Sequence, residues 1–242
     1  MGRAHLISMT KSSSPIVIAL GGSIVVPNNI NVSYLKRLRA FLMPYLSEGH
    51  TFILVVGGGA PAREYQKAAA GVIDISDVDK DWLGIHATRM NAHLLRTIFA
   101  DVAYPVIFDD PHKEISDEDY KKYNLFIAAG GKPGHSTDYD SVELAHRFGA
   151  DTFLVATTIP FVYNKDFKKY PDAKPLKETT WKEYRSFISD TWSPGMKSPV
   201  DPIAAKFAQE YGMTCHLLRG TNIANFKKYL EGKPFTGSTI RP

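Results

Sequence analysis

Pro15-Ile-Val-Ile-Ala-Leu-Gly-Gly22 and Thr51-Phe-Ile-Leu-Val-Val-Gly-Gly-Gly59 are two short apolar runs that each end in glycine. Neither run alternates apolar with polar residues, so each predicts a strand buried on both faces, as in a parallel sheet. Apolar residues recur at helical spacing after each run, over residues 31–46 and 60–70. This alternation predicts an α/β fold in which helices cover both faces of a mainly parallel sheet.

The rest of the chain continues the alternation. Further strands are predicted at residues 105–108, 123–129, 152–156 and 214–218. Further helices are predicted at residues 81–99, 136–148, 180–188, 202–211 and 221–230. After Thr157, three prolines interrupt a polar stretch rich in Lys and Tyr, which predicts a loop or a hairpin. Residues 236–240 predict a closing strand at an edge of the sheet.

Size and charge limit the classes of function. The 242 residues are enough for one large α/β domain or two small ones. No apolar run approaches the roughly 18 residues of a membrane span. The net charge is +4, and no run of Lys and Arg with interleaved aromatic residues indicates a nucleic-acid groove. A small positive charge suits an enzyme whose substrates are phosphate anions.

The single cysteine, Cys215, allows no internal disulfide, which fits a reducing compartment. We therefore expect a cytoplasmic protein. Cys215 lies in a predicted buried strand and is interpreted as a core residue rather than a nucleophile. Residues 1–14 are polar and lack the apolar core of a secretory signal, so we expect a flexible N-terminal segment.

Three glycine-rich loops follow predicted strands, at residues 21–23, 57–63 and 130–138. In a parallel sheet such loops meet at the carboxyl edge, where backbone N–H groups and helix N-termini attract anions. None of the loops matches a P-loop or a dinucleotide-binding motif. Two anion cradles that face each other suit the transfer of a phosphoryl group between two phosphorylated partners.

Four segments resemble the amino acid kinase superfamily: Ala19-Leu-Gly-Gly-Ser-Ile24, Val55-Val-Gly-Gly-Gly59, Gly134-His-Ser-Thr-Asp138 and Ser198-Pro-Val-Asp-Pro-Ile-Ala-Ala-Lys206. The stretch Asp81-Trp-Leu-Gly-Ile-His-Ala-Thr-Arg-Met-Asn-Ala-His-Leu-Leu95 is similar to a segment of the archaeal-type uridylate kinases, which make UDP from UMP and ATP. The resemblance runs from about Ile16 to Ile240. It implies a single three-layer α/β/α domain over residues 15–242, with the phosphate acceptor bound by the N-terminal half and ATP by the C-terminal half.

The resemblance also implies direct in-line transfer that depends on Mg²⁺, which enters with ATP, and a homo-oligomer, a hexamer built from dimers. The ATP-binding residues it implies are Gly21, Gly22, Ser23, Gly59, Arg63, Thr157, Thr158, Tyr163 and Asp166. The UMP-binding residues it implies are Gly58, Asp81, Gly134, His135, Ser136 and Thr137. Asp138 is the candidate to hold a metal or orient a lysine, and Lys206 the candidate cation near the transferring oxygens. No side chain is assigned as a direct metal ligand.

Each candidate side chain has a plainer interpretation. Asp138 is also explained as a helix cap, and Asp81 as an acid in a first helical turn that complements the helix dipole. Arg63 and Lys206 are also explained as solvated surface charges. His135 is also explained as a loop histidine with no role.

The sequence departs from the family pattern at several positions. Leu20 stands where many members have lysine, Ala60 follows the glycine triplet in place of lysine, and the loop after Gly131 is one residue shorter. Thr157-Thr-Ile-Pro-Phe-Val-Tyr163 replaces the usual Thr-Asn-Val-Asp-Gly-Val-Tyr. Lys132 and Lys197 are candidates for the missing positive charge. These departures leave two alternatives open: a non-catalytic nucleotide or oxyanion-binding (storage) protein, and a kinase for another phosphorylated or carboxylate acceptor.

Overall fold

The computed structural model of the protein describes residues 14–196 and 198–242. The predicted flexible segment 1–14 lies outside the described residues except for Ser14, and so does Lys197. The strands and helices of the described ranges are, in chain order, β1 (Ile16–Leu20), α1 (Gly22–Val25), α2 (Val32–Ser47), β2 (Phe52–Val56), α3 (Gly59–Ala70), α4 (Asp77–Ile98), α5 (Asp117–Lys122), β3 (Leu125–Ala128), α6 (Thr137–Arg147), β4 (Thr152–Thr157), β5 (Val162–Tyr163), β6 (Pro175–Leu176), β7 (Glu178–Thr180), α7 (Trp181–Arg185), α8 (Pro202–Glu210), β8 (Thr214–Arg219), α9 (Ile223–Leu230) and β9 (Gly237–Arg241).

The central sheet has the strand order β3-β2-β1-β4-β8-β9-β7. Neighbouring strands from β3 to β8 pair in parallel. β9 runs antiparallel to β8, and β7 runs parallel to β9. β5 and β6 form a separate antiparallel pair, which confirms the hairpin predicted after Thr157. The sheet confirms the predicted α/β class with a mainly parallel arrangement.

Helices pack on both faces of this sheet. Along β1, Val17 and Ala19 belong to one buried apolar cluster, and Ile18 and Leu20 belong to the other. The first cluster includes apolar residues of α6 and α8, and the second includes apolar residues of α2, α4 and α9. Each face of the strands is therefore covered, which explains why their sequences are continuously apolar.

Two predicted strands differ from the structure. The strand near the C-terminus forms as β9, but it lies between β8 and β7 and is not an edge strand. The edge position is wrong because β7, only three residues long, pairs with the outer side of β9. Residues 105–108 do not form a regular strand, since only Phe108 makes an isolated bridge, to Ala128.

The helix predicted to begin at residue 81 begins at Asp77. Ser76 caps it, because its side chain accepts a hydrogen bond from the backbone N–H of Asp79. The two short helices α1 and α5 were not predicted, since four and six residues are too few to show a helical period. Within the described ranges, no helix has the length and apolar character that a bilayer crossing requires.

Candidate active site

The carboxyl ends of β1 and β4 open into a cavity of about 250 Å³. Its walls come from the first glycine loop, the start of α6, the end of β4 and the connection between α7 and α8. The lining residues are Ala19, Leu20, Gly21, Ser23, Thr137, Asp138, Val155, Thr157, Met196, Ser198 and Pro199. We call this space the phosphate cavity. It brings together five residues that the sequence assigned to the site, namely Gly21, Ser23, Thr137, Asp138 and Thr157.

The first two glycine loops touch backbone to backbone. A Cβ atom on Gly22 would lie only 2.2 Å from the backbone N of Gly59, and one on Gly59 would lie 2.6 Å from the carbonyl O of Gly22. Gly59 also has a φ of +68°, a conformation that glycine adopts without strain. These glycines are therefore required by the packing of the two loops, apart from any ligand.

Arg63 joins the same two loops through its side chain. One guanidinium nitrogen donates to Ser23 Oγ at 3.1 Å, and the other donates to the carbonyl O of Pro27 at 3.4 Å. The residue is exposed, yet it is held beside the loop that lines the phosphate cavity. The structure thus brings together two residues assigned to the ATP phosphates.

The second glycine loop is also held from α4. Asn91 Nδ2 donates to the carbonyl O of Gly57 at 2.8 Å and to that of Gly58 at 3.1 Å. Asn91 is buried, so this amide is a fixed part of the site. No role was predicted for Asn91, although it lies inside the segment 81–95 that resembles the uridylate kinases.

Ser136, and not Asp138, caps α6. Its Oγ accepts from the backbone N–H of Asp138 at 3.1 Å and donates to Asp201 Oδ2 at 2.6 Å. The helix-cap interpretation of Asp138 is therefore wrong. Asp201 in turn caps α8, because its Oδ1 accepts from Ile203 N at 2.8 Å. Asp201 was not predicted, although an aspartate before Pro202 is typical of a helix start.

Asp138 lies in the first turn of α6 and is one of the residues that line the phosphate cavity. Burial, and after it the negative charge of Asp201, raise the pKa of this carboxyl to about 7. The hydroxyl of Ser136 acts in the opposite direction. A carboxyl with a pKa near neutrality in a cleft is a common feature of functional sites.

Asp81 is the fifth residue of α4 and is buried. Because the helix dipole acts mainly within the first turn, where Asp77 and Asp79 lie, the dipole interpretation of Asp81 is wrong. Its Oδ2 accepts from the backbone N–H of Gly134 at 2.8 Å and from Trp192 Nε1 at 3.0 Å. The structure thus joins two segments that were assigned to UMP, and it adds Trp192, for which the sequence contained no signal.

His135 lies in the sequence between Gly134, which donates to Asp81, and Ser136, which donates to Asp201. Its Nδ1 is 3.1 Å from the carbonyl O of Ser136, to which it donates. Burial lowers the pKa of the imidazole, which favours the neutral ring. Nε2 is buried and has no hydrogen-bond partner among the described residues.

His135 lines a second cavity, of about 290 Å³. Arg89 lines it and fixes the third glycine loop, since its guanidinium donates to the carbonyl O of Gly131 at 2.9 Å and of Gly130 at 3.3 Å. Lys132 also lines this cavity, so its charge is placed there and not in the phosphate cavity. Lys197 falls outside the described residues.

Four further predicted residues do not line the phosphate cavity. Lys206 is exposed on α8, 3.9 Å from Glu210, and lines neither cavity. Tyr163 belongs to the β5–β6 hairpin and packs against Phe167. Asp166 caps a turn by accepting from the backbone N–H of Lys168, and Thr158 is exposed. Their roles stay predictions that the geometry does not support further.

Comparison with known proteins identifies the relatives of this chain. The model of the amino acid kinase family matches residues 14–219. A uridylate kinase of Thermococcus sibiricus is 37% identical over 228 residues, which cover 94% of this chain and 99% of that protein. One of Pyrococcus abyssi is 32% identical with the same coverage. The crystal structure of the uridylate kinase from Archaeoglobus fulgidus is 29% identical, with a TM-score of 0.77, and covers 93% of this chain and 99% of that one.

Proposed function

Because this chain belongs to the amino acid kinase family and is similar over nearly its whole length to archaeal uridylate kinases, we propose that it transfers the γ-phosphoryl group of ATP to UMP. The contact between Asp81 and Gly134 supports this proposal most strongly. It joins two segments, distant in sequence, that the family resemblance assigned to the acceptor nucleotide. The buried carboxylate suits the hydroxyl groups of a ribose, which donate hydrogen bonds.

Phosphoryl transfer needs positioning and charge stabilisation more than covalent chemistry from the protein. In the proposed arrangement, the N-terminal half binds UMP, and ATP enters mainly from the C-terminal half. We assign Gly21 and Ser23, which line the phosphate cavity, and Arg63, which donates to Ser23, to the ATP phosphates. The start of α6 lines the same space, so the positive end of its helix dipole is available to stabilise negative charge there.

Mg²⁺ would enter with ATP. Among the described residues, no three histidine, cysteine, aspartate or glutamate side chains come together as a metal site. Mg²⁺ commonly takes one or two carboxylates and completes its shell with phosphates and water. We assign to Asp138, which lines the phosphate cavity, the contact with such an ion, directly or through water. A bound Mg²⁺ neutralises phosphate charge, and it also favours the ionised form of Asp138.

A coupled assay of ADP release with UMP, CMP, dTMP and AMP as acceptors tests the proposal. We expect UMP to be the preferred acceptor. Turnover of another acceptor without turnover of UMP would contradict the substrate and leave the kinase class intact. Binding of UMP and ATP in calorimetry without any ADP release would favour the second candidate, a non-catalytic nucleotide binder. That candidate is motivated by the altered segment 157–163.

We also propose that the protein self-associates, as a hexamer built from dimers. Large apolar side chains are exposed on α3, on the turn after it and on α4. Their exposure supports a contact between two copies of the chain. These side chains are Tyr65, Val72, Ile73, Val78 and Met90, each with more than half of its surface exposed. Light scattering that finds a monomer at micromolar concentration would contradict self-association.

A further inference from the structure

Trp192 lies in the connection between α7 and α8, and its indole reaches a residue 111 positions earlier in the chain. Nε1 donates to Asp81 Oδ2 at 3.0 Å. The backbone N–H of Gly134 donates to the same oxygen at 2.8 Å. Three separate segments of the protein therefore meet on one carboxylate oxygen.

Both donors end on Oδ2, while Oδ1 accepts no hydrogen bond from the described residues. The terminal torsion of an aspartate is soft, so a carboxylate alone samples a broad range of orientations. Two donors on a single oxygen restrict that torsion, because rotation would break both hydrogen bonds together. An indole N–H and a backbone N–H can only donate, so this arrangement keeps Oδ2 as their acceptor and presents Oδ1 as the remaining one.

The connection that carries Trp192 is also part of the phosphate cavity. Met196, Ser198 and Pro199 line the cavity beyond it, and Asp201 at its end holds Ser136. Loop 134–136 is therefore linked to this connection by hydrogen bonds at both ends. At Gly134 the link runs through Asp81 to Trp192, and at Ser136 it runs to Asp201. Loss of the hydrogen bond from Trp192 would remove one of these two links.

We propose that Trp192 is a positioning residue for the acceptor nucleotide, which orients Asp81 so that Oδ1 accepts a hydrogen bond from the 2′-hydroxyl of the ribose. This inference rests on the proposed function. It assigns to Trp192 a part in the discrimination between ribonucleotide and 2′-deoxyribonucleotide acceptors, and no direct contact with the transferring phosphate.

Steady-state kinetics with UMP and 2′-deoxy-UMP test the role. In W192F, which keeps an aromatic ring and removes the N–H, we expect KM for UMP to rise about 3- to 10-fold, the range of one ordinary hydrogen bond. KM for 2′-deoxy-UMP should change much less, and KM for ATP should stay the same. The matched control is W82F, since the indole of Trp82 makes no hydrogen bond with the described residues. An equal loss for both acceptors, or a lower KM for UMP, would overturn the proposal.

The hydrogen bond between Trp192 and Asp81 can be detected without an activity assay. The three indole N–H resonances in ¹⁵N NMR belong to Trp82, Trp181 and Trp192, and W192F identifies the third. D81N replaces the charged acceptor of the Trp192 N–H by a neutral amide oxygen, so it should shift the Trp192 resonance. It should leave the resonance of Trp181, which donates to the carbonyl O of Met213. An unshifted Trp192 resonance would overturn the proposal.

If the wild type does not phosphorylate UMP, the proposed function is wrong and the positioning role falls with it. If the wild type does and W192F keeps its discrimination, only the role of Trp192 is wrong.

Discussion

Replacing Asp81 by asparagine should weaken UMP binding while leaving ATP binding nearly intact. The two donors on Oδ2, Gly134 N–H and Trp192 Nε1–H, require an acceptor in that position. The amide of D81N therefore turns its carbonyl oxygen toward them. Its NH₂ group then faces the ribose in place of Oδ1, so the ribose hydroxyl loses its charged acceptor.

The magnitude follows from that single exchange. A hydrogen bond to a charged partner contributes about 1.5–3 kcal/mol. At about 1.4 kcal/mol per decade, the loss is roughly 10- to 150-fold in UMP affinity. The stability of the fold should change little, because the carbonyl oxygen of the asparagine still accepts from both donors.

Calorimetric titration of the wild type and D81N with UMP, 2′-deoxy-UMP and ATP measures the effect. Loss of the 2′-hydroxyl should cost the wild type a factor similar to that of the mutation and should cost D81N much less, since the partner is already gone. Thermal unfolding of both proteins serves as the control for the fold. Unchanged UMP affinity in D81N, or an equal loss on 2′-deoxygenation in both proteins, would refute the ribose role of Asp81.

Three further predictions concern other parts of the site. The pKa of Asp138 is about 7 in the folded protein and 3.8 ordinarily, so its carboxyl ionises in the unfolded chain at a lower pH than in the folded protein. The free energy of unfolding of the wild type should therefore fall relative to that of D138N as pH rises from about 4 to about 7. Denaturation at several pH values measures this, and an equal pH dependence of stability in the two proteins would contradict it. G22A should lower the free energy of unfolding by about 1–3 kcal/mol, because its Cβ would meet the backbone of Gly59. The control is G71A, where the Cβ makes ordinary contacts and φ is negative. In thermal melts G71A should be neutral or slightly stabilising. K206M should leave kcat nearly unchanged if Lys206 stays on the exposed face of α8, and a loss of two or more decades would restore its predicted catalytic role.

The class of fold could be predicted from the sequence because it depends on local pattern. Phe52–Val56 is continuously apolar, and such a run is stable as a strand only where both faces are covered. The glycines that follow β1 and β2 could also be predicted to lie at one edge, since parallel strands end on the same side. Residues around Asp81 and 134–138 were assigned to the acceptor by resemblance, and the structure places Asp81 and Gly134 in contact.

The remaining features depend on contacts between residues far apart in the chain, and no local pattern encodes them. β9 became an inner strand because the short β7 pairs with it from a distant part of the sequence. The pKa of Asp138 depends on burial and on Asp201, which only folding brings near. Trp192 has no motif of its own, and its role depends on an oxygen 111 residues away. Lys206 matched a family pattern, yet the rotation of α8 directs its side chain to solvent, because Ala204 and Ala205 occupy the buried face of that helix.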